Sequence, residues 1–182
     1  MKIEKFVHED GMTEQKVNLF NLVNDENGDP KLEVINSTTM YYINEYEMED
    51  VIDVICRLTN ARNLHLENQW AVGFNHDREI LGVFHLAQGD MTGVYANDRN
   101  LATFIILTGA LGFAMFHNHS VDDRTPSDSD KTSVQGHKFF QNRLGLSYYG
   151  DYIISRTGWR NINNNVDHVF NETDAENKDK EV

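Results

Sequence analysis

Apolar residues recur along this chain in two rhythms, and their alternation predicts the elements. Met48, Val51, Ile52, Ile55 and Leu58 follow helical spacing behind the acidic Glu45, Glu47 and Glu49, which predicts an amphipathic helix packed on a sheet. Trp70, Val72 and Phe74 then alternate with Ala71 and Gly73, the period of a strand with one bulky and one small face. A polar turn over residues 75–79 leads into a second strand over 80–86. Asn97 has the form of a helix cap, with Asp98 in the first turn, an apolar face of Leu101, Phe104, Ile105 and Thr108, and a stop at Gly109 or Gly112. The run Phe113-Ala114-Met115-Phe116 is a further strand. After the Thr125-Pro126-Ser127 turn a third helix runs to about Leu144 and stops at Gly145, and residues 148–154 form another strand. This β-α-β-α-β order predicts an α/β fold, a sheet with helices packed against it.

The ends of the chain are patterned differently. Residues 1–14 are polar and unpatterned, and Val17 to Val23 and Leu32 to Ile35 flank a turn-rich stretch at 24–30, which predicts two short strands joined by a loop. Residues 1–47 are therefore expected to be an N-terminal extension carrying a short β-hairpin, ahead of a domain over 48–166. From Asn161 the chain is rich in asparagine, and its charged end lacks apolar periodicity, so 167–182 is expected to be a disordered acidic tail.

Composition narrows the class. The 182 residues are 40% hydrophobic, enough for one domain with a sizeable core. With 29 acidic against 16 basic residues the formal net charge is -13, a field that repels nucleic acid and acidic membrane surfaces and disfavours direct nucleic-acid binding. A single cysteine, Cys56, excludes an internal disulfide, and its apolar neighbours make it a small buried hydrophobe rather than a nucleophile. The N-terminus has no long apolar run of the signal-peptide or membrane-spanning kind, so the expectation is a cytoplasmic protein.

The chemistry concentrates in His117-Asn118-His119, followed after seven intervening residues by Ser127 and after two more by Asp130. Histidines one residue apart on a strand point to the same side, so their ring nitrogens can converge on one ion. Asp130 can supply a third ligand, leaving one tetrahedral position open as a catalytic zinc site requires. Ser127-x-x-Asp130 also has the form of a helix start, with Ser127 as N-cap and Asp130 in the first turn. The two readings are compatible, since a cap can fix the backbone that aims Asp130. His137, seven residues past Asp130, is expected to be a polar surface histidine, and His65, His76 and His85 have no partners at ligand spacing.

These residues resemble the JAB/MPN metalloprotease-like superfamily, whose H-x-H-x7-S-x2-D pattern is met by His117, His119, Ser127 and Asp130. His-Asn-His before a Thr-Pro-Ser segment is similar to the RadC-like branch in particular. The likeness covers about residues 48–162, including Glu67-Asn68-Gln69-Trp70 at the first core strand and Asp151-Tyr152-Ile153-Ile154 in a later one. It implies a mixed, curled sheet sandwiched by helices, with a cytidine-deaminase-like architecture. The chain departs from the branch at Ser120, where a proline is usual, at Val121-Asp122-Asp123, at Asn97-Asp98-Arg99-Asn100, and at Tyr152, where the branch carries a histidine.

The resemblance further implies a zinc-dependent hydrolase of metallopeptidase type, with one Zn2+ per chain held by His117, His119 and Asp130, and a peptide or protein substrate. Glu67 takes the place of the family's catalytic glutamate, relaying a proton from water to the leaving amine. Ser127 would donate a hydrogen bond to the developing oxyanion. Two other functions remain open: a DNA-repair-associated or mobile-element accessory role, traditional for RadC-like proteins, and a metal-binding module without turnover. A zinc deaminase is disfavoured, because a one-cysteine chain has no Pro-Cys-x-x-Cys ligand pair.

Overall fold

The computed structural model describes residues 1–95 and 97–170, and among them it has nine strands and three helices of more than one turn. The strands are β1 (Lys5–Val7), β2 (Met12–Asn24), β3 (Pro30–Ile43), β4 (Asn68–Phe74), β5 (Ile80–Gln88), β6 (Gly112–Asn118), β7 (Ser147–Ile154), β8 (Gly158–Asn161) and β9 (Asp167–Val169). The helices are α1 (Met48–Thr59), α2 (Asp98–Thr108) and α3 (Asp128–Leu144). All nine strands join one mixed sheet in the order β1-β2-β5-β4-β6-β7-β8-β9, with β3 on the free side of β2. The β2–β5 and β6–β7 pairs are parallel and the remaining pairs antiparallel.

Helix boundaries follow the local signals. The side chain of Asn97 accepts the Arg99 N–H at 2.9 Å, and Gly109 closes α2 at φ 71°, a left-handed conformation that costs glycine little. The buried residues of α2 are the four on its expected apolar face. Gly145 ends α3 in the same way.

The sheet has a core on each face. On one, Trp70, Val72, Phe74, Phe116 and Tyr152 pack against Val51, Ile52, Ile55 and Leu58 of α1. On the other, Ala71, Phe84, Phe113 and Met115 pack with Leu101, Phe104 and Ile105 of α2. The small face of β4 is what brings α2 so close: a Cβ on Gly73 would lie 3.1 Å from the Phe104 ring.

The two ends differ from expectation. The hairpin strands are 13 and 14 residues long rather than short, and β2 docks in parallel on β5 at Leu19 and Phe20, so the hairpin extends the same sheet. β1 forms within the unpatterned first segment, held by backbone pairing to β2, with all three of its residues exposed. The start of the expected tail is a strand, β9, paired with β8, and Phe170 after it packs against the α1-side core beneath the Arg62 guanidinium, 4.2 Å from the ring centroid. Residues 171–182, where the rest of that tail falls, lie outside the described residues. Among the described residues no helix is long and apolar enough to cross a membrane.

Candidate metal centre

The H-x-H pair sits at the end of β6, a central and wholly buried strand. The His119 N–H donates to the Ile154 carbonyl at 3.0 Å, extending the pairing with β7 by one residue and keeping both histidines on the face that α3 covers. The two Nε2 atoms lie 3.2 Å apart. Asp130, in the first turn of α3, places Oδ1 3.3 Å from His117 Nε2 and Oδ2 3.6 Å from His119 Nε2. A tetrahedral ion with bonds of about 2.0–2.2 Å has ligand–ligand edges of about 3.3–3.6 Å, so the spacing of these three groups fits one. The side chains are largely buried, with exposures of 7, 12 and 17% for His117, His119 and Asp130.

Neighbouring groups orient the ligands. His119 Nδ1 is 2.7 Å from the Asp123 carbonyl, which can only accept, so Nδ1 carries a proton and Nε2 is the ring atom that faces Asp130 and His117. Ser127 caps α3: its Oγ accepts the Asp130 N–H at 3.1 Å, while its own N–H and hydroxyl both donate to Asp130 Oδ2 at 2.7 Å. The cap therefore also fixes the carboxylate. Burial works against the Asp130 charge, but the bonds to His117 and His119 outweigh it and hold the carboxyl well below the usual range. Burial lowers the His119 pKa, and Asp130, the Asp123 carbonyl and Glu67 raise it further, for a net rise.

Glu67 immediately precedes β4. Burial raises its pKa most, the two histidines oppose that, and Asp130 raises it again, so its carboxyl lies within the electrostatic reach of all three candidate ligands. The Glu67 N–H donates to the Asp90 carbonyl and the Glu67 carbonyl accepts the Gly89 N–H, both at 2.8 Å, and the residues on either side are tied by Asn118, the middle residue of the histidine pair, which the sequence reading passed over. Asn118 has no exposed surface and points to the opposite face of β6. Its Oδ1 accepts the Asn68 N–H at 2.8 Å and its Nδ2 donates to the Leu66 carbonyl at 3.1 Å, bracketing Glu67 on both sides. A polar residue on the buried face of an apolar strand was the available signal.

The family fits this geometry over most of the chain: the model of the RadC-like JAB domain matches residues 46–164. The chain belongs to the RadC-like JAB domain family. That makes it a member of the JAMM/MPN superfamily, with which its mixed α/β sheet and its candidate His-His-Asp metal site agree. No curated protein matched the chain in a sequence comparison.

The departures from the RadC-like branch also acquire physical content. The Ser120 hydroxyl donates to the Met91 carbonyl at 2.9 Å, tying the loop after the histidines to the one after β5. Asp122 accepts from Thr157, and Arg124 forks onto Asp167 at 2.9 and 3.0 Å, stitching the same loop to the β7–β8 turn and to β9. Tyr152 faces the α1-side core, stacked on Phe116, so this position points away from the histidines. His137 is not a surface residue; it is buried, bonded to Asp151, and its seven-residue spacing from Asp130 turns it inward with that ligand. Of the histidines assigned no role, His85 bonds Asn68, His76 meets Asp77, and His65 lines a cavity of about 350 Å³ with Arg62, His119 and Arg156.

Proposed function

We propose that this RadC-like JAB domain is a zinc-dependent hydrolase of metallopeptidase type that cleaves a peptide or isopeptide bond. The observation that carries this is the convergence of His117, His119 and Asp130 at tetrahedral spacing beside a half-buried glutamate. His117, His119 and Asp130 would hold one zinc ion, whose Lewis acidity polarises a carbonyl and makes water a usable nucleophile near neutral pH. Glu67 accepts a proton as water oxygen bonds to the carbonyl carbon. It returns that proton to the amine nitrogen as the C–N bond breaks. Its raised pKa suits a group that must hold the proton between those two steps. Ser127 Oγ can keep accepting the Asp130 N–H while its own hydrogen swings from Asp130 Oδ2 to the oxyanion, because a hydroxyl has one donor and two acceptor sites.

The test is a screen of zinc-loaded protein and its Glu67→Gln variant against peptide and isopeptide libraries, with single- and double-stranded DNA in parallel. We expect zinc-dependent amide cleavage that falls by on the order of 100 to 10,000-fold in Glu67→Gln, with zinc content retained. DNA cleavage without amide cleavage, or turnover unaffected by Glu67→Gln, would overturn the assignment.

A further inference from the structure

The described residues enclose a cavity of about 540 Å³ on the α3 side of the sheet. One wall is a stripe of α3, Ser129, Thr132, Ser133 and Gly136, beginning beside the candidate ligand Asp130 and ending at His137. The opposite wall is mixed, with Leu86 of β5 and Leu101 of α2 beside Asn97 and Asp98 at the start of α2, and Gln69, the strand partner of His117, also lines the cavity.

Two features of that stripe are not accounted for by packing of the chain on itself. Gly136 is in the interior of α3, where glycine is less favourable than alanine, yet a Cβ there would meet nothing within 4 Å. The glycine keeps the cavity open without relieving any clash. His137 is 7% exposed, and its Nδ1 lies 2.9 Å from Asp151 Oδ1 and 3.1 Å from Oδ2. Asp151 is itself buried and accepts the Tyr148 hydroxyl, which in turn accepts from Asn163 at 3.3 Å. This network sets the ring as a carboxylate sets a catalytic or metal-binding histidine: Nδ1 donates toward the sheet, and Nε2 is the polar atom left for the cavity. Among the described residues no hydrogen-bond partner meets Nε2.

The geometry points to His137 as a substrate-binding residue, whose Nε2 hydrogen-bonds the backbone of an extended peptide lying along α3 in this cavity. The inference rests on the amide-hydrolase reading above and adds where the chain runs and which residue grips it. Seven residues of helix separate His137 from Asp130, about 10 Å of rise. An extended chain covers that in about three residues at roughly 3.3 Å each. The bare helix face at Gly136 lets the peptide backbone approach closely, and the small hydroxyl residues before it offer further donors and acceptors.

The experiment compares zinc-loaded wild type, His137→Asn and Gly136→Leu on an equimolar mixture of N-acetylated, C-amidated peptides of four and of six residues, following cleavage by mass spectrometry. The imidazole 15N signals of histidine-labelled protein are recorded on adding the same mixture. His137→Asn keeps a side-chain donor for Asp151 but lacks the atom that reaches the cavity. Gly136→Leu leaves the His137–Asp151 pair intact, favours the helix and fills the cavity. Wild type should prefer six-residue peptides by about tenfold in kcat/KM, the order one hydrogen bond provides, carried mainly by KM. Both variants should lose that preference while keeping zinc and short-peptide cleavage, and the His137 Nε2 signal should move in wild type. If peptides are cleaved with no length preference, or with the same preference in both variants and an unmoved Nε2 signal, the inference falls and the hydrolase reading stands. If no peptide is bound or cleaved, both fall.

Discussion

Asp130→Asn separates the ligand role of Asp130 from its role in capping α3. The asparagine oxygen can still accept from the Ser127 N–H and hydroxyl, so the cap, generally worth about 1 kcal/mol, is retained. What is lost is the charge facing His117 and His119 at 3.3 and 3.6 Å, and an amide nitrogen takes the place of one carboxylate oxygen. The chelator-treated variant should therefore be destabilised by only on the order of 1–2 kcal/mol. Zinc should expose the larger defect. At free zinc a thousand times the wild-type Kd, binding stabilises the wild type by about 4.1 kcal/mol. For a chain of this size that raises Tm by about 8–16 °C, at roughly 2–4 °C per kcal/mol. Disturbing even an outer group of a metal site costs about 10 to 100-fold in affinity, so we take a hundredfold loss as the minimum for a direct ligand. The same zinc concentration is then only ten times the variant's Kd and is worth about 1.4 kcal/mol, or about 3–6 °C. Thermal unfolding with and without zinc, after exhaustive chelation, measures both quantities. A variant that keeps the full zinc-induced rise would show that Asp130 is a cap and not a ligand.

Three further outcomes follow from particular contacts. Asn118→Leu should bind zinc with near wild-type stoichiometry but lose on the order of 100-fold or more in hydrolysis, because the backbone on both sides of Glu67 loses its clamp; unchanged turnover with retained zinc would show that Glu67 is held by other means. In chelator-treated protein the His119 contribution to stability, whose folded pKa is raised, should be present below about pH 6.5 and be lost as pH rises through that raised value, whereas zinc-induced stabilisation should grow over the same range as protons cease to compete for the histidines; Tm measured against pH with and without zinc should show the two opposite slopes. Gly82→Ala would set a Cβ 2.4 Å from the Phe20 ring where β2 docks on β5, so it should cost about 1–3 kcal/mol and lower Tm by about 2–12 °C while leaving zinc content unchanged, and an unshifted Tm would mean that the hairpin is not firmly docked there.

Much of the domain was legible because its signals are local. A helix must satisfy its own terminal N–H and C=O groups, so Asn97, Ser127, Gly109 and Gly145 mark ends that the structure places at the same residues. The period-2 rule likewise set His117 and His119 on one face of a strand before any fold was known. The same rule put Asn118 on the other face, but only the packing of β6 against the segment at 66–68 decides what that face touches. Tertiary structure alone decided the elements held by backbone pairing. β1, β8 and β9 are only three or four residues long, too short to show a pattern, and form because an adjacent strand offers them backbone bonds, while the hairpin strands are extended by ladder bonds beyond their apolar centres. His137 shows the same limit from the side of charge. A histidine among polar neighbours on a helix looks solvated, and it becomes a buried, directed group only because β7 brings Asp151 beneath it, fourteen residues on along the chain. The sequence by itself determined which residue types could hold an ion and at what spacing. The sheet determined which partners orient them and where a cavity opens beside them, because those depend on contacts between segments that no local pattern records.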